Sequence, residues 1–492
     1  MSRATHRERL HGYEEFVDHV MQTWQIPGVA IGIVKDDEVI YARGFGQRDR
    51  EQGLETTPQS IFAIGSCTKA FVAMSLAMLV DEGKLAWDAP LRNYLPEFKL
   101  ADSVTSERLT TRDILTHRSG LPGHDALAYN SLVTVKELIG RLPHLEFNKD
   151  LRAGWQYNNL LYGVAGYLLE AISGQSWDAF IRQRILEPLG MNSTSFSVQD
   201  VQRAADYALP YKTIKGKTQR TRFYPRFNKG TSYDPAGALN SNVEDMTKWL
   251  RALLKQSRYG EQRLVSEAQF KQILEPQGII PIDHYQVGMK YPEEARYCAA
   301  LGWRVFSYRG HELAQHSGGI DGFTVMTTFL PDDNLGIVVL TNLEFEAVLF
   351  PNIFAFNICD RLLGLDELPW NERMLRGSAQ ALELKKQAQQ ALTEGQVPGT
   401  ALSHPLSAYA GQYEHPGYGL LTLTVEGEGL KAFYNDLEYS LTHFHYDAFL
   451  AYQSHFDLTL KVSFGTNLAG NIASLAVPLE PEVNPIVFTR LS

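Results

Sequence analysis

The stretch Ile64-Gly-Ser-Cys-Thr-Lys-Ala-Phe decides how this 492-residue chain is interpreted. It opens an apolar pattern that runs to Val80 and is closed by Asp81-Glu-Gly-Lys, which predicts a helix with a glycine stop. Ser66 and Lys69 then lie on one face of its first turn. A serine hydroxyl is a weak nucleophile until a base takes its proton, and a partly desolvated lysine can do this. Alone, the stretch is a weak signal, because an N-cap serine followed by a surface lysine also explains it.

Two further short patterns follow in the chain. Tyr157-x-Asn159 lies in Trp155-Gln-Tyr-Asn-Asn-Leu, immediately before an apolar helical pattern over residues 160–173. His316-Ser317-Gly318 lies at the edge of a predicted strand. Each pattern is common by chance. All three, in this order and in helix, loop and strand contexts, indicate an activated serine.

Together the three motifs resemble the set found in serine β-lactamases and penicillin-binding proteins. Three other segments resemble the branch that contains class C β-lactamases, D-aminopeptidases and esterases: Ile114-Leu-Thr-His-Arg-Ser-Gly-Leu-Pro, Ile185-Leu-Glu-Pro-Leu-Gly-Met and Asp234-Pro-Ala-Gly-Ala-Leu-Asn-Ser. The resemblance covers residues 10–363, approximately. Tyr409-Ala-Gly-Gln-Tyr413 resembles the lipocalin-like domain appended in some members.

Strand patterns at both ends of this region, with a mostly helical block over residues 109–257, indicate one sheet with helices packed on it. The apolar runs predict a hairpin over residues 29–42 and neighbouring strands over 301–306, 322–330 and 335–341, with turns at Ser317-Gly-Gly and Pro331-Asp-Asp-Asn. The resemblance implies an α/β (α+β) fold. It is a β-lactamase-like sandwich of an antiparallel sheet with helices on both faces, plus a helical block.

The C-terminal part has a different pattern. A charged helix near residues 379–394 predicts a linker, and alternating aromatic strands follow from Leu406, with turns at Gly417, Glu426-Gly-Glu-Gly, Asn435-Asp, Gly465 and Gly470. This predicts a small antiparallel β-barrel. We therefore expect a catalytic domain over residues 1–364, a helical linker over 365–404 and a lipocalin-like barrel over 405–492.

The resemblance implies a role for each motif residue. Ser66 attacks a carbonyl and is acylated, while Lys69 and Tyr157 share the proton transfers. Tyr157 resembles a base with a lowered pKa, which requires nearby cations, namely Lys69 and His316. Asn159 orients either the substrate amide or Lys69.

The same resemblance implies an oxyanion hole from the N–H group of Ser66 and one from Gly318 or Ser317. Family members specialised for penicillins carry Lys-Thr-Gly where this chain has His316-Ser317-Gly318, and a histidine there is frequent in esterases and peptidases. Arg304, on the preceding predicted strand, is a candidate to bind a substrate carboxylate. Its alternative is a solvated strand residue.

The function that follows is a serine hydrolase that forms an acyl-enzyme with small amides or short peptides, including those with D-residues, and takes esters as side substrates. A carboxylesterase or a weak β-lactamase is the alternative within enzymes. A non-catalytic binding protein on the same fold is the alternative from another class. The mechanism requires no metal and no organic cofactor.

Composition limits the partners. A formal net charge of −10 and the absence of a basic patch give no reason to expect nucleic acid or an anionic membrane. Residues 1–10 show no signal-peptide pattern, so we expect a cytoplasmic protein, and a homo-oligomer stays open. Three cysteines are too few for a disulfide framework. His443 and His445 alternate along a predicted strand without a third metal ligand.

Overall fold

The computed structural model describes residues 5–214, 216–223, 231–281, 291–344 and 350–491. Residues 1–4 of the N-terminal stretch discussed above lie outside these ranges. The strands in the first 344 residues are β1 (Gly28–Lys35), β2 (Glu38–Asp49), β3 (Leu54–Glu55), β4 (Phe62–Ala63), β5 (Tyr211–Ile214), β6 (Lys217–Arg220), β7 (Asn240–Ser241), β8 (Arg258–Tyr259), β9 (Gln262–Arg263), β10 (Gly278–Ile279), β11 (Glu294–Ala300), β12 (Trp303–Tyr308), β13 (His311–Ile320), β14 (Phe323–Leu330) and β15 (Leu335–Thr341).

Nine of these strands form one antiparallel sheet in the order β10-β11-β12-β13-β14-β15-β1-β2-β3. Within this sheet β1 pairs with β15, although the two strands come from opposite ends of the domain's sequence. The described α-helices are His6–Arg9, Tyr13–Trp24, Thr68–Asp81, Ser103–Arg108, Thr111–Leu115, Asp125–Ala128, Val135–Arg141, Leu160–Ser173, Trp177–Ile181, Glu187–Leu189, Val198–Arg203, Asp234–Gly237, Val243–Leu254, Glu267–Leu274, Pro351–Leu363 and Trp370–Thr393.

Helices cover both faces of the sheet, which explains the continuous apolar runs of its central strands. In β15, Val338 and Leu340 face one core, which includes the helices Thr68–Asp81 and Val243–Leu254. Ile337 and Val339 face a second core with Tyr13–Trp24 and Pro351–Leu363. Because every side chain of such a strand is buried, no polar alternation remains in its sequence. The predicted sandwich is confirmed.

The predicted turn at Ser317-Gly-Gly is wrong. These residues lie inside β13, which pairs with β12 on one side and β14 on the other. The strands predicted over 301–306 and 322–330 are therefore separated by β13 and are not direct neighbours. Consecutive glycines usually mark a turn, but here they permit close packing of a strand against a neighbouring segment.

A closed eight-stranded barrel follows the sheet domain, as the alternating pattern predicted. Its interior contains the aromatic residues Tyr413, Phe449, Phe464 and Phe488. Gly465 lies within a strand, so the turn predicted there is wrong. The strands are β16 (Gly411–His415), β17 (Gly419–Glu426), β18 (Gly429–Tyr434), β19 (Leu437–His445), β20 (Ala448–Gln453), β21 (Leu458–Thr466), β22 (Ile472–Val477) and β23 (Ile486–Arg490).

The helix Trp370–Thr393 connects the two parts and begins earlier than predicted. Its first residue, Trp370, is fully buried and donates a hydrogen bond to Asp360 at 3.0 Å. No helix in the described ranges is long and apolar enough to cross a bilayer.

A buried aspartate ties together the loops that carry the site. Asp113 is inaccessible to solvent and accepts hydrogen bonds from Arg118 (3.0 Å) and Arg152 (2.7 and 2.9 Å). Burial alone would raise the pKa of Asp113, but hydrogen bonds from Arg152 and Thr110 and the charges of both arginines lower it below its ordinary value. The segment after Arg152 leads directly to Tyr157.

We predict that Asp113→Ala lowers the free energy of unfolding by about 3 kcal/mol, because it removes a solvent-inaccessible carboxylate that accepts hydrogen bonds from Thr110, Arg118 and Arg152. Urea unfolding measures this. Asp88→Ala is the matched control, because Asp88 pairs with Arg112 while 72% exposed and should cost less than about 1 kcal/mol. Equal costs for the two variants would contradict this role of Asp113.

Candidate active site

Ser66 lies in a tight turn, Gly65–Cys67, that continues into the helix Thr68–Asp81. Gly65 has φ +48°, a conformation that favours glycine. A Cβ on Gly318 would stand 1.9 Å from the carbonyl oxygen of Ile64, so strand β13 packs directly against the serine turn. Ser66 itself is only half-buried and remains accessible.

Lys69 is completely buried one helical turn after the serine. Its Nζ lies 3.1 Å from Ser66 Oγ, 2.7 Å from Asn159 Oδ1 and 2.7 Å from the carbonyl oxygen of Ala236. Burial lowers the pKa of Lys69 well below its ordinary value, the charge of Asp125 opposes this shift, and the charge of Arg304 adds to it.

This arrangement suits an uncharged amine. A neutral amine has two N–H donors, and the oxygens of Asn159 and Ala236 are two acceptors that cannot donate in return. The lone pair is then left for the third neighbour, the hydroxyl of Ser66. The geometry is therefore that of a base directed at a nucleophile.

Tyr157 lies between two basic side chains. Lys69 Nζ is 5.0 Å and Arg304 Cζ is 5.9 Å from the centre of its ring, and the ring of His117 lies at 4.4 Å. Burial raises the pKa of Tyr157 above its ordinary value, while the charge of Arg304 and a hydrogen bond with Ser66 oppose the rise. The expectation of a lowered pKa is wrong, because burial outweighs the neighbouring charge. Tyr157 is a protonated phenol in the resting protein.

Asn159 holds Lys69 in place. Its Oδ1 accepts from Lys69, and its Nδ2 donates to Asp125 Oδ1 at 2.9 Å and to the hydroxyl of Tyr233 at 2.8 Å. All these bonds are made within the protein. Of the two roles considered from the sequence, the contacts favour orientation of Lys69.

His316 is buried and uncharged. Burial lowers the pKa of His316 well below its ordinary value, and the charges of Arg304 and Lys69 lower it further. Its Nδ1 lies 2.7 Å from the carbonyl oxygen of Ser317. The sequence led us to expect that His316 supplies a second cation near Tyr157. That expectation is wrong, because the buried imidazole is uncharged. Arg304 takes that place, and its Nη1 donates to Ser317 Oγ at 3.1 Å.

Strand β13 offers free backbone beside the serine. Its pairing with β12 ends at Gln315, whereas its pairing with β14 continues to Ile320. Among the residues that the structure describes, no strand pairs with the other edge of residues 316–320. The nitrogen of Gly319 lies 3.1 Å from where a Cβ on Gly65 would stand. Gly319 therefore joins Ser317 and Gly318 as a candidate oxyanion donor.

The structure brings together Ser66, Lys69, Tyr157, Asn159, His316, Ser317 and Gly318. Sequence reasoning missed Gly319, Asp125, Tyr233 and the carbonyl of Ala236. The paired glycines were a readable signal for Gly319, whereas a main-chain carbonyl leaves no mark in a sequence.

Three polar residues near the site, His117, Asn158 and His124, make contacts that hold the surrounding loops. His117 Nδ1 accepts from the N–H of Asn158 at 3.0 Å, and Asn158 Nδ2 donates to the carbonyl of Pro122 at 2.6 Å. His124 Nδ1 lies 2.7 Å from the hydroxyl of Tyr418 in the barrel. Within the part of the chain that is described, no group of three or more His, Cys, Asp or Glu side chains could hold a metal.

Comparison with protein families places this site in a known context. The beta-lactamase family profile matches residues 14–355, which include every motif residue above. The chain belongs to the beta-lactamase family. A second profile, a domain of unknown function called DUF3471, matches residues 396–490, which include all eight barrel strands.

Individual relatives agree with this assignment. The chain is 27% identical over 432 residues to the unguisins hydrolase ungD' of Aspergillus campestris. The matched region covers 85% of this chain and 78% of the fungal protein. It shares a fold with the octameric penicillin-binding protein homologue from Pyrococcus abyssi (TM-score 0.63, 23% identity, 98% of this chain and 100% of that one). SurE with D-Leu also has this fold (TM-score 0.55, 17% identity, 98% and 99%). The chain is a serine hydrolase of the beta-lactamase-like family.

We predict that Gly318→Ala slows labelling of Ser66 by a fluorophosphonate about a hundredfold, because the new methyl group displaces β13 from the serine turn. It should also lower the thermal unfolding midpoint. Gly319→Ala is the matched control for folding, because a Cβ there meets nothing within 4 Å and the midpoint should stay unchanged. If Gly318→Ala were labelled as fast as the wild type, the close packing of β13 against the serine turn would not be needed for reactivity.

Proposed function

We propose that the protein cleaves small amides or short peptides, including those with D-residues, through an acyl-enzyme on Ser66. The observation that carries the proposal is the buried amine of Lys69, 3.1 Å from Ser66 Oγ. Burial lowers the pKa of this amine well below its ordinary value, which favours the uncharged form that can accept the proton of Ser66.

Acylation begins as Lys69 Nζ takes the Ser66 hydroxyl proton and Ser66 Oγ forms a bond to the carbonyl carbon. The carbonyl oxygen becomes an oxyanion. The N–H group of Ser66 and one from residues 317–319 stabilise it. No water-filled path is needed for this proton, because the two side chains are in direct contact.

Collapse of the intermediate breaks the bond to the leaving nitrogen, which needs a proton. The hydroxyl of Tyr157 is protonated and hydrogen-bonded to Ser66, so it can donate that proton and regain one from the Lys69 ammonium. A water molecule then attacks the ester, giving one proton to the same pair of groups. Release of the acid returns the proton to Ser66 Oγ, and all three side chains regain their starting state.

The names of two similar proteins agree with this proposal. The fungal relative is named as a hydrolase of unguisins, and SurE, which shares the fold, is described with D-Leu. A carboxylesterase is the second candidate, because His316 occupies the position where penicillin-specialised members carry a lysine. The presence of Ser66, Lys69 and Tyr157 in mutual contact disfavours the non-catalytic binding protein.

Several predictions from the sequence remain proposals. They include the domain boundaries at residues 364 and 404, a cytoplasmic location and a site free of cofactors. A homo-oligomer gains support from the Pyrococcus abyssi homologue, which is described as octameric.

Intact-mass analysis after incubation with a fluorophosphonate tests the nucleophile. We expect one adduct on the wild type and none on Ser66→Ala, because only an activated hydroxyl displaces the fluoride. Ser75→Ala is a matched control, since Ser75 is buried in the same helix and donates to the carbonyl of Phe71. An adduct that persists in Ser66→Ala would contradict the assignment.

A panel of D- and L-aminoacyl anilides, p-nitrophenyl esters and a cephalosporin then tests the substrate class. We expect turnover of the anilides at a rate that Ser66→Ala abolishes. Turnover of esters alone would favour the carboxylesterase, and turnover of the cephalosporin alone would favour the β-lactamase.

A further inference from the structure

The turn Asp321–Gly322 fixes the far end of the strand that carries the candidate oxyanion donors. Strand β13 ends at Ile320, and β14 begins at Phe323. Among the described strands, only β14 pairs with β13 beyond Gln315. The position of residues 317–319 therefore also depends on how this turn is held.

The carboxylate of Asp321 is buried and meets a side chain of the barrel. His455, in the loop 454–457 between β20 and β21, places its Nε2 atom 3.3 Å from Asp321 Oδ2. The hydroxyl of Tyr129 donates to the same carboxylate and lies 2.8 Å from Oδ1 and 2.7 Å from Oδ2. Because a carboxylate only accepts hydrogen bonds, the proton between the imidazole and Asp321 belongs to His455 Nε2.

A second carboxylate holds the other residue of the turn. Glu344 Oε2 accepts from the N–H of Gly322 at 3.1 Å, and its Oε1 lies 3.1 Å from Lys212 Nζ. The ring of Phe456, in the same barrel loop, has its centre 5.3 Å from Lys212 Nζ. This ring also packs edge-on against Tyr129, with the ring centres 5.0 Å apart. The barrel loop therefore contacts a group that holds each residue of the turn.

The barrel loop is itself held in place. Gln453 is buried, and its Oε1 accepts from the N–H of Phe456 at 2.8 Å. Gln389, on the helix Trp370–Thr393, donates to the carbonyl of Asp457 at 3.2 Å. A loop anchored at these points can hold the position of the groups that it contacts.

The barrel also holds the segment that carries Tyr129. Asn435 Nδ2 donates to the carbonyls of Ala126 (2.9 Å) and Leu127 (3.2 Å). Asn130 Nδ2 donates in turn to the carbonyl of Asn435 at 2.7 Å. These contacts lie on both sides of Tyr129. Both partners of the buried carboxylate are therefore positioned by the barrel.

The precision required of an oxyanion donor gives these contacts a consequence for catalysis. An N–H group stabilises the oxyanion when it lies about 2.7–3.1 Å from it, and a misplacement of about 1 Å costs about a hundredfold in rate. Residues 317–319 have a single strand neighbour in the described part of the chain. A turn that is free to shift would therefore move these donors away from the reacting oxygen.

We propose that the barrel positions the oxyanion hole: His455 and Tyr129 hold Asp321, and the held turn keeps the N–H groups of residues 317–319 directed at the reacting carbonyl. His455 and Asp321 are positioning residues that act through strand β13. The barrel is then a working part of the active site. This inference rests on the proposed acyl-enzyme at Ser66 and adds to it the residues that shape the oxyanion hole.

The rate of fluorophosphonate labelling at Ser66 tests this without a known substrate, because the phosphonyl oxygen takes the place of the oxyanion. We expect His455→Ala to lower the maximal labelling rate about tenfold, with the probe concentration at half-maximal rate unchanged. His455→Gln should keep most of the rate, because its amide N–H can replace that of the imidazole. His443→Ala is the matched control, since His443 is an exposed barrel residue on β19, and it should react like the wild type.

The final extent of labelling separates positioning from a loss of folding. Partial unfolding leaves fewer chains with an adduct, whereas the folded chains still react at the wild-type rate. In His455→Ala we expect the opposite, namely one adduct on every chain, formed slowly. Labelling at the wild-type rate, with or without a reduced extent, would overturn the proposal.

A double-mutant cycle tests whether His455 acts through Asp321. We expect Asp321→Ala to slow labelling, and the addition of His455→Ala to slow it no further, because both changes remove the same contact. The isosteric Asp321→Asn serves in the cycle if Asp321→Ala does not fold. Effects that multiply in the double variant would overturn the assigned contact.

The wild type distinguishes this inference from the function on which it rests. A wild type that is labelled at Ser66, with His455→Ala labelled equally fast, would overturn the positioning role alone. A folded wild type that is not labelled at all would overturn the proposed function.

Discussion

The complete burial of the Lys69 amine is the constraint on which the site depends. Removing a lysine from water favours its neutral form, and the neutral form survives there because two carbonyl-type oxygens accept its two N–H groups. The charge of Asp125 works against this shift and that of Arg304 works with it. Burial and the charge of Arg304 therefore lower the pKa of Lys69 more than the charge of Asp125 raises it. The net shift favours an amine able to accept the proton of Ser66.

The rest of the fold supplies the parts of that environment from distant positions in the chain. The turn before the helix Thr68–Asp81 presents Ser66, the loop after Arg152 presents Tyr157 and Asn159, and the short helix Asp234–Gly237 presents a carbonyl. Strand β13 closes the other side. It can approach only because glycine at position 318 leaves room for the carbonyl of Ile64. The barrel adds a further restraint through the segment around Asp125.

Much of this was readable from the sequence, for physical reasons. Long apolar runs such as the one in β15 identified the buried strands, and helical spacing placed Ser66 and Lys69 on one face. The glycines after Ser317 misled, because a glycine that allows tertiary packing looks the same as one that allows a turn. The charge states of Tyr157 and His316 could not be read, since they depend on burial by residues from other segments. For the same reason, Asp125 became recognisable only through its three-dimensional neighbours.

The most direct test of the account is the charge of Lys69 in the folded protein. Carbon-13 labelling at the ε position of lysine gives a resonance that reports the charge of each amine, and the signal absent from Lys69→Met identifies this one. We predict that it titrates well below the ordinary value near 10.5 and is neutral at the pH where Ser66 reacts. A Lys69 signal that stays charged to pH values near 10 would contradict the account, because the amine could then not accept the proton of Ser66.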